Sequence, residues 1–266
     1  MPKTVAIIPA RYASTRLPGK LIKNEAREHT GKYLIEHVYE NVMSAKNIHE
    51  VIVATDDELI AEAVKKFGGC VKMTSTSHKS GTDRIAEVAT NLDADFVLNI
   101  QGDEPDVKGR MIDDLIESMY DEKEAVVCTF ANEIRSMEEF TDPNAVKVVI
   151  DKDSYAMYFS RATIPYIRDE NSNPKFSKLE STSDTVNTGS NTSFLFLKHL
   201  GIYMYRKDFL LRFSSLAIPD IEEIEKLEQL RVLSNGYKIK VIVTPYMCEG
   251  VDTPEDFERF LGKYRT

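Results

Sequence analysis

The sequence predicts an α/β fold with a mostly parallel central sheet covered by helices on both faces. Between Val5 and Met119, short apolar runs of strand length alternate with amphipathic stretches of helical period. Such alternation with short connections means parallel strands joined by crossovers. The runs are also apolar at successive positions, as in Val51-Ile52-Val53-Ala54, which is the pattern of strands buried on both faces. At 266 residues the chain is long enough for a full core.

Val5 to Ile8 is the first strand, and Pro9 is expected to end it because proline removes a ladder donor. The loop that follows carries Arg11, Arg16 and Lys20 among Ser14, Thr15 and Gly19. Three cations on small-residue backbone suit a polyphosphate. The loop also lies at the carboxyl end of a strand, where open α/β sheets place their ligands. It is not a Walker A loop, since GxxxxGK[ST] is absent. Leu21 to Thr30 has no clear period and reads as a surface excursion. Leu34, Ile35, Val38 and Val42 share one face of a helix. The second strand, Val51 to Ala54, is closed by Thr55-Asp56-Asp57. A helix follows over Leu59 to Phe67 and ends at Gly68-Gly69. Cys70 to Met73 is a short strand, Thr82 to Thr90 a helix, Phe96 to Ile100 a strand and Met111 to Met119 a helix.

Right-handed crossovers gather the loops after these strands on one edge. On that edge fall Arg11 to Lys20, Thr55 to Asp57 and Gln101 to Asp103. Beyond Ala125 the pattern changes, with strands at Ala125–Phe130, Val146–Ile150 and Ile202–Tyr205 and few helices between them. This reads as a covering insertion built on the same sheet. Asn171 to Asn191 is rich in Ser, Thr and Asn and is expected to be a mobile loop. Ile221, Ile224, Leu227, Leu230 and Val232 or Leu233 mark one amphipathic helix. Lys238 to Val243 is the last strand, and Pro254 opens a closing helix capped by Thr253.

Composition narrows the partners. A net charge of −9 argues against a nucleic-acid backbone. No apolar stretch is of membrane-spanning length, and MPKTVAII lacks a signal-peptide pattern, so a cytoplasmic location is expected. Cys70, Cys128 and Cys248 are odd in number and widely spaced, as free thiols are.

Several residue groups carry chemistry. Asp103 follows a strand end beside Gly102, a placement that suits a magnesium ligand as well as an Asx turn. Asp252 precedes a helix, and on local sequence capping is its better reading. Ser80-Gly81-Thr82-Asp83-Arg84 opens a helix and can hold a base, ribose or phosphate; an ordinary helix start with an exposed arginine fits equally. Arg161, in an aromatic segment, can bind a carboxylate with two parallel bonds. His199 beside an apolar strand is more often structural, and Glu228 and Gln229 ordinarily belong to a solvated helix face.

Together, IIPARYASTRLPGK, VATDD, SGTDR, NIQGDEP, YFSRATIPY, KHLGIYMY, EKLEQLR and GVDTPEDFER, in that order along nearly the whole chain, resemble the 3-deoxy-manno-octulosonate (Kdo) cytidylyltransferase family. The resemblance implies a nucleotide-diphospho-sugar transferase fold. It implies a single nucleotidyltransferase domain over 1–266, with 1–124 and 206–266 as the nucleotide-binding core and 125–205 as a substrate-covering and dimerisation part. The implied reaction joins CTP to the sugar acid Kdo, giving CMP-Kdo and pyrophosphate with Mg2+ for lipopolysaccharide biosynthesis. The implied assembly is a homodimer with no nucleic-acid or membrane partner. Its implied roles are phosphate binding for Arg11, Ser14 and Lys20, nucleotide binding for Arg84 and Gln101, and metal binding for Asp103 and Asp252. Lys20, Asp103 and Asp252 would be catalytic. Arg161, His199, Glu228 and Gln229 would line the sugar pocket. The alternatives are a related sugar acid, 8-amino-Kdo or a sialic acid, and a nucleotide-binding module without turnover. The chain departs from the family in having Leu21 after Lys20 and added residues before Tyr33, and in a longer 171–191 region. That longer region, between Arg161 and His199, reads either as a lid that closes over the sugar pocket or as an excursion on the outer surface.

Overall fold

The computed structural model describes residues 2–13, 16–78, 80–168 and 195–264. The expected 171–191 loop and Ser14 lie outside them.

Among the described residues nine strands form one sheet, with seven in the order β3-β2-β1-β4-β8-β5-β9 and β6 and β7 branching from β8. The amino-terminal half is β1 (Thr4–Ala10), β2 (Glu50–Thr55), β3 (Cys70–Met73) and β4 (Phe96–Asn99), all parallel. Next to β4 lies β8 (Leu197–Arg206), antiparallel to it and to β5 (Ala125–Glu133). The outer strand β9 (Lys238–Val243) pairs parallel with β5. The β6 (Lys147–Ile150) and β7 (Ala156–Ser160) pair is a ribbon attached to the start of β8. The described residues of the 125–205 part therefore contribute β5 and β8 to the main sheet itself.

Side-chain alternation splits the core in two. Ala6, Ile8, Val51, Val53 and Leu98 face α2 (Leu34–Met43), α5 (Gly109–Asp121) and α10 (Pro254–Gly262). Val5, Ile7, Ile52, Ala54 and Val97 face α4 (Gly81–Thr90) and α7 (Lys207–Phe213). A strand buried on both faces must be apolar at every position, and β1 is buried throughout. The helices take their starts from local signals. Asp57 caps α3 (Glu58–Lys66) by accepting from the backbone N–H of Leu59 at 2.9 Å, and Ser80 caps α4 through Asp83 N–H at 3.1 Å. Among the described residues no helix is long and apolar enough to cross a membrane.

Three expectations need correction. Pro9 does not end β1, which continues to Ala10 with Pro9 opposite Ala54. The carbonyl of Lys3 bonds the start of β4, so odd-numbered residues of β1 point their backbone groups toward β4. That pairing stops at Ile7↔Asn99, and the donor that proline lacks falls beyond it. The Leu21–Thr30 stretch is ordered rather than irregular. A 3-10 turn (Lys20–Ile22) and α1 (Asn24–Thr30) bury Leu21 and Ala26, and Gly31 in the left-handed region ends α1. Three elements had not been expected: β7, the short helix α6 (Met137–Thr141), and α7 directly after β8. Finally, the amphipathic stretch from Ile221 is two helices, α8 (Asp220–Glu225) and α9 (Gln229–Ser234), broken at Lys226 with φ 54°. Their hairpin is held by a bidentate Arg231–Glu222 pair, with the guanidinium 4.6 Å over Phe213.

Candidate active site

The carboxyl edge of the parallel strands carries two adjoining cavities. The smaller, about 280 Å³, lies between the loop after β1 and the loop after β4, with Arg11, Lys20, Ser80, Gln101 and Asp103 in its wall. The larger, about 330 Å³, is lined by Thr82, Asn99, Tyr203, Tyr205, Glu228 and Gln229 among others. Gly81 and Gln101 belong to both walls, so the two spaces meet there.

Local backbone chemistry builds the smaller cavity. Gly19 takes φ +65°, which suits glycine, and its N–H closes the loop onto the Tyr12 carbonyl at 3.1 Å. Lys20 then enters the 3-10 turn and turns inward, with only 7% of its surface exposed. At Gly102 a Cβ would stand 3.0 Å from Ile35 Cδ1 and 3.4 Å from the Pro9 carbonyl. A side chain there would push the Asp103 loop off the end of β1. Arg11 is oriented by a 2.9 Å bond from Nη2 to the His78 carbonyl.

Lys20 joins the two carboxylates that the sequence leaves far apart. Its Nζ bonds Asp103 Oδ2 and lies 2.9 Å from Asp252 Oδ1, while Arg16 approaches Asp252 Oδ2 at 3.1 Å. A 2.8 Å bond from Val251 N–H to the Asp103 carbonyl fixes one loop against the other. Burial opposes the charge on Lys20, but Asp103 and Asp252 outweigh it and raise its pKa. Asp252 does not cap α10, as its local sequence suggested. Thr253 and Asp256 form the capping box instead, and Asp256 also accepts from the Asp252 N–H, leaving the Asp252 side chain to the site.

Glu104 is a residue that the sequence reading passed over. Its Oε2 is buried with no partner among the described residues. Desolvation first, then the nearby Asp103 and Asp252 carboxylates, push its carboxyl up to about 8. The folded protein then holds a proton that the unfolded chain releases near 4.5, so this stabilisation is complete below pH 4.5 and lost as pH rises toward 8. Glu104→Gln, which cannot ionise, is expected to flatten the fall in melting temperature of the ligand-free protein across that window. A variant with the wild-type slope would place its origin elsewhere.

The remaining candidates divide. Glu228 and Gln229 line the larger cavity because the break at Lys226 turns them inward, and Thr82 Oγ1 donates to Glu228 Oε2 at 2.6 Å. Tyr203 and Tyr205, unassigned from sequence, line the same wall; their alternation along β8 was the available signal. His199, expected in the sugar pocket, lines neither cavity; it packs edge-on to Phe159 at 5.0 Å and lies 5.2 Å from the ring of Tyr203, which does line the larger one. Arg84 lines neither cavity. It is fully buried, donates to Asp56 Oδ2 at 2.7 Å and to Thr74 Oγ1, and so ties α4 to the segments after β2 and β3.

Arg161 also lines neither cavity. Its Nε donates to the Glu225 carbonyl at 2.8 Å and its Nη1 to the Pro143 carbonyl at 3.0 Å. The Glu225 carboxylate in turn accepts from Ser160 Oγ at 2.6 Å and Arg161 N–H at 3.0 Å. The arginine thus holds the segment leading into Glu228. Arg161→Lys is expected to lower the melting temperature, since a hydrogen bond from a charged group contributes about 1.5–3 kcal/mol and lysine cannot span both carbonyls. It is also expected to raise the KM of the molecule bound in the larger cavity more than that of the nucleotide. An unchanged melting temperature would remove the anchoring role.

The sequence model of the family described as Cytidylyltransferase matches residues 5–239. A 3-deoxy-manno-octulosonate cytidylyltransferase of Geobacter metallireducens is 47% identical over 261 residues, covering 98% of this chain and 97% of that protein. One of Geotalea uraniireducens is 46% identical, covering 99% of each. The solved structure of a CMP:2-keto-3-deoxy-manno-octonic acid synthetase complexed with CTP superposes with a TM-score of 0.85 at 38% identity, covering 98% of both chains. A cytidylyltransferase from Leptospira borgpetersenii, at 15% identity and a TM-score of 0.61 over 100% of this chain and 89% of that one, shares the fold. With likeness of this depth running from β1 to the closing helix, the chain belongs to the 3-deoxy-manno-octulosonate cytidylyltransferase family.

Proposed function

We propose that this chain transfers the cytidylyl group of CTP to 3-deoxy-manno-octulosonate, forming CMP-Kdo and releasing pyrophosphate. The observation that carries the reading is the meeting of the two cavities at Gly81 and Gln101. A basic phosphate-sized space opens directly into a polar, aromatic one, as two substrates that must react require.

CTP occupies the smaller cavity, with Arg11 and Lys20 neutralising its phosphates and Gln101 at the junction. The sugar acid occupies the larger one, against Glu228 and Gln229. Its anomeric C2 hydroxyl attacks the α-phosphorus in line. The new C–O–P bond forms as the bridging bond to the β-phosphorus breaks, pyrophosphate takes the leaving electron pair, and the hydroxyl proton passes to solvent. Most of the rate gain comes from positioning and charge stabilisation. Lys20 meets the charge that develops on the phosphates.

Asp103 and Asp252 fit a magnesium ion. Both are hard oxygen donors, and both already converge on one cation, the Lys20 ammonium. No group of three or more His, Cys, Asp or Glu side chains gathers for a metal among the described residues, which suits an ion that completes its shell with water and phosphate oxygens. When bound, the ion supplies Lewis acidity at the phosphate oxygens. A homodimer and a cytoplasmic location complete the reading, and light scattering checks the first.

Pyrophosphate release from CTP and Mg2+, with Kdo, 8-amino-Kdo and a sialic acid compared, tests the function. Release with Kdo at the highest kcat/KM supports it. Preference for another acid changes the substrate, and no release with any acid overturns the enzymatic reading.

A further inference from the structure

The register of β8 contains an irregularity that bears on the sugar site. Thr129 pairs with Tyr203 and the next residue, Phe130, with Leu200, so Gly201 and Ile202 bulge from the ladder. A bulge leaves backbone carbonyls without ladder partners. Here two of them converge on one side chain. Thr129 Oγ1 lies 2.7 Å from the Ile202 carbonyl and 3.1 Å from the Leu200 carbonyl. The same oxygen lies 3.0 Å from His199 Nε2.

A hydroxyl has one proton and two lone pairs. Two carbonyl oxygens at these distances can only accept, so the proton of Thr129 goes to them. Its oxygen is then an acceptor toward His199, and Nε2 must be the donor. Enclosure of the ring pushes the imidazole down to about 3, so it is neutral and carries one proton. That proton is on Nε2, and Nδ1 keeps a lone pair. Among the described residues nothing bonds Nδ1.

We propose that Thr129 is a positioning residue that fixes His199 as the Nε2–H tautomer, so that Nδ1 serves as a hydrogen-bond acceptor for a hydroxyl of the polyhydroxy acid substrate. The inference rests on the sugar-acid reading of the larger cavity; His199 stands behind that cavity's wall, its ring 5.2 Å from the wall residue Tyr203. It assigns His199 to orientation of the sugar and not to proton removal, because a ring that resists protonation is a weak base.

Long-range 1H–15N correlation spectra of the full-length, 15N-labelled protein read the tautomer directly, with His199→Gln identifying the signals. The Nε2–H pattern is expected in the wild type. Thr129→Val removes the acceptor and is expected to raise the KM for the sugar acid roughly tenfold, about the effect of one hydrogen bond, with the CTP KM within about twofold. Thr129→Ser keeps the hydroxyl and should restore both the spectrum and the KM, even if valine lowers stability by stranding the bulge carbonyls. A wild-type Nδ1–H pattern overturns the proposal. So does an unchanged sugar KM in a folded Thr129→Val when His199→Gln raises it. If His199→Gln leaves the sugar KM unchanged, His199 is not in the sugar site and the proposal fails there, whereas absent turnover in the wild type would instead indict the cytidylyltransferase reading.

Discussion

Asp103→Asn is expected to abolish pyrophosphate release from CTP while leaving the fold intact. The substitution keeps the size of the side chain and removes its negative charge. Lys20 keeps its 2.9 Å contact with Asp252, and the loop keeps its backbone bond from Val251 to the Asp103 carbonyl. Neither stability nor cavity shape is therefore expected to change much. What goes is one of the two anionic oxygen donors assigned to the metal. Turnover within about tenfold of wild type, a change of only ~1.4 kcal/mol in the barrier, would show that Asp103 is not a ligand on which the reaction depends.

Lys20→Met should be the second severe loss, and it should differ in kind. The methionine fills much of the same volume but leaves Asp103 and Asp252 facing each other without the cation between them. Removing a preorganised donor from developing phosphate charge lowers kcat by about 10²–10³-fold. The ligand-free variant should also melt lower, because like charges are brought together in a partly buried place. The half-exposed Asp252 and the nearby Arg16 limit that loss. Added Mg2+ should raise the melting temperature of Lys20→Met more than that of the wild type, since in the wild type the ammonium already occupies the space between the carboxylates. Equal responses in both proteins would mean that the ion does not bind between Asp103 and Asp252. The Asp103→Asn protein supplies the matching control, with a weakened response expected.

The parts of the fold legible in the sequence are those whose signal is contained within a few neighbouring residues. The apolar runs of β1, β2 and β4, the helical faces of α2 and α3, and the Thr253-Pro254 start of α10 fall in this class. So does the basic loop after β1. Errors arose where a neighbour decided the outcome. Pro9 ends no strand because β4 stops short of it. The single amphipathic pattern from Ile221 became two helices because a turn at Lys226 packs Leu227 and Leu230 inward and faces Glu228 to Thr82.

Periodicity alone specifies an α/β sheet with polar loops collected at one edge, and eight ordered motifs specify a family. The tertiary structure decided which of those polar residues meet. Asp103 and Asp252 share Lys20 only because the chain returns after β9 to lay Val251 against the Asp103 loop. Arg161 is committed to the Glu225 and Pro143 carbonyls only because the end of β7 meets the last residue of α8. Thr129 acquires a role only through a bulge on the strand next to it. Periodicity and capping are encoded within one or two turns of chain. Convergence of side chains depends on strand order and register, which are settled by packing between segments far apart in sequence.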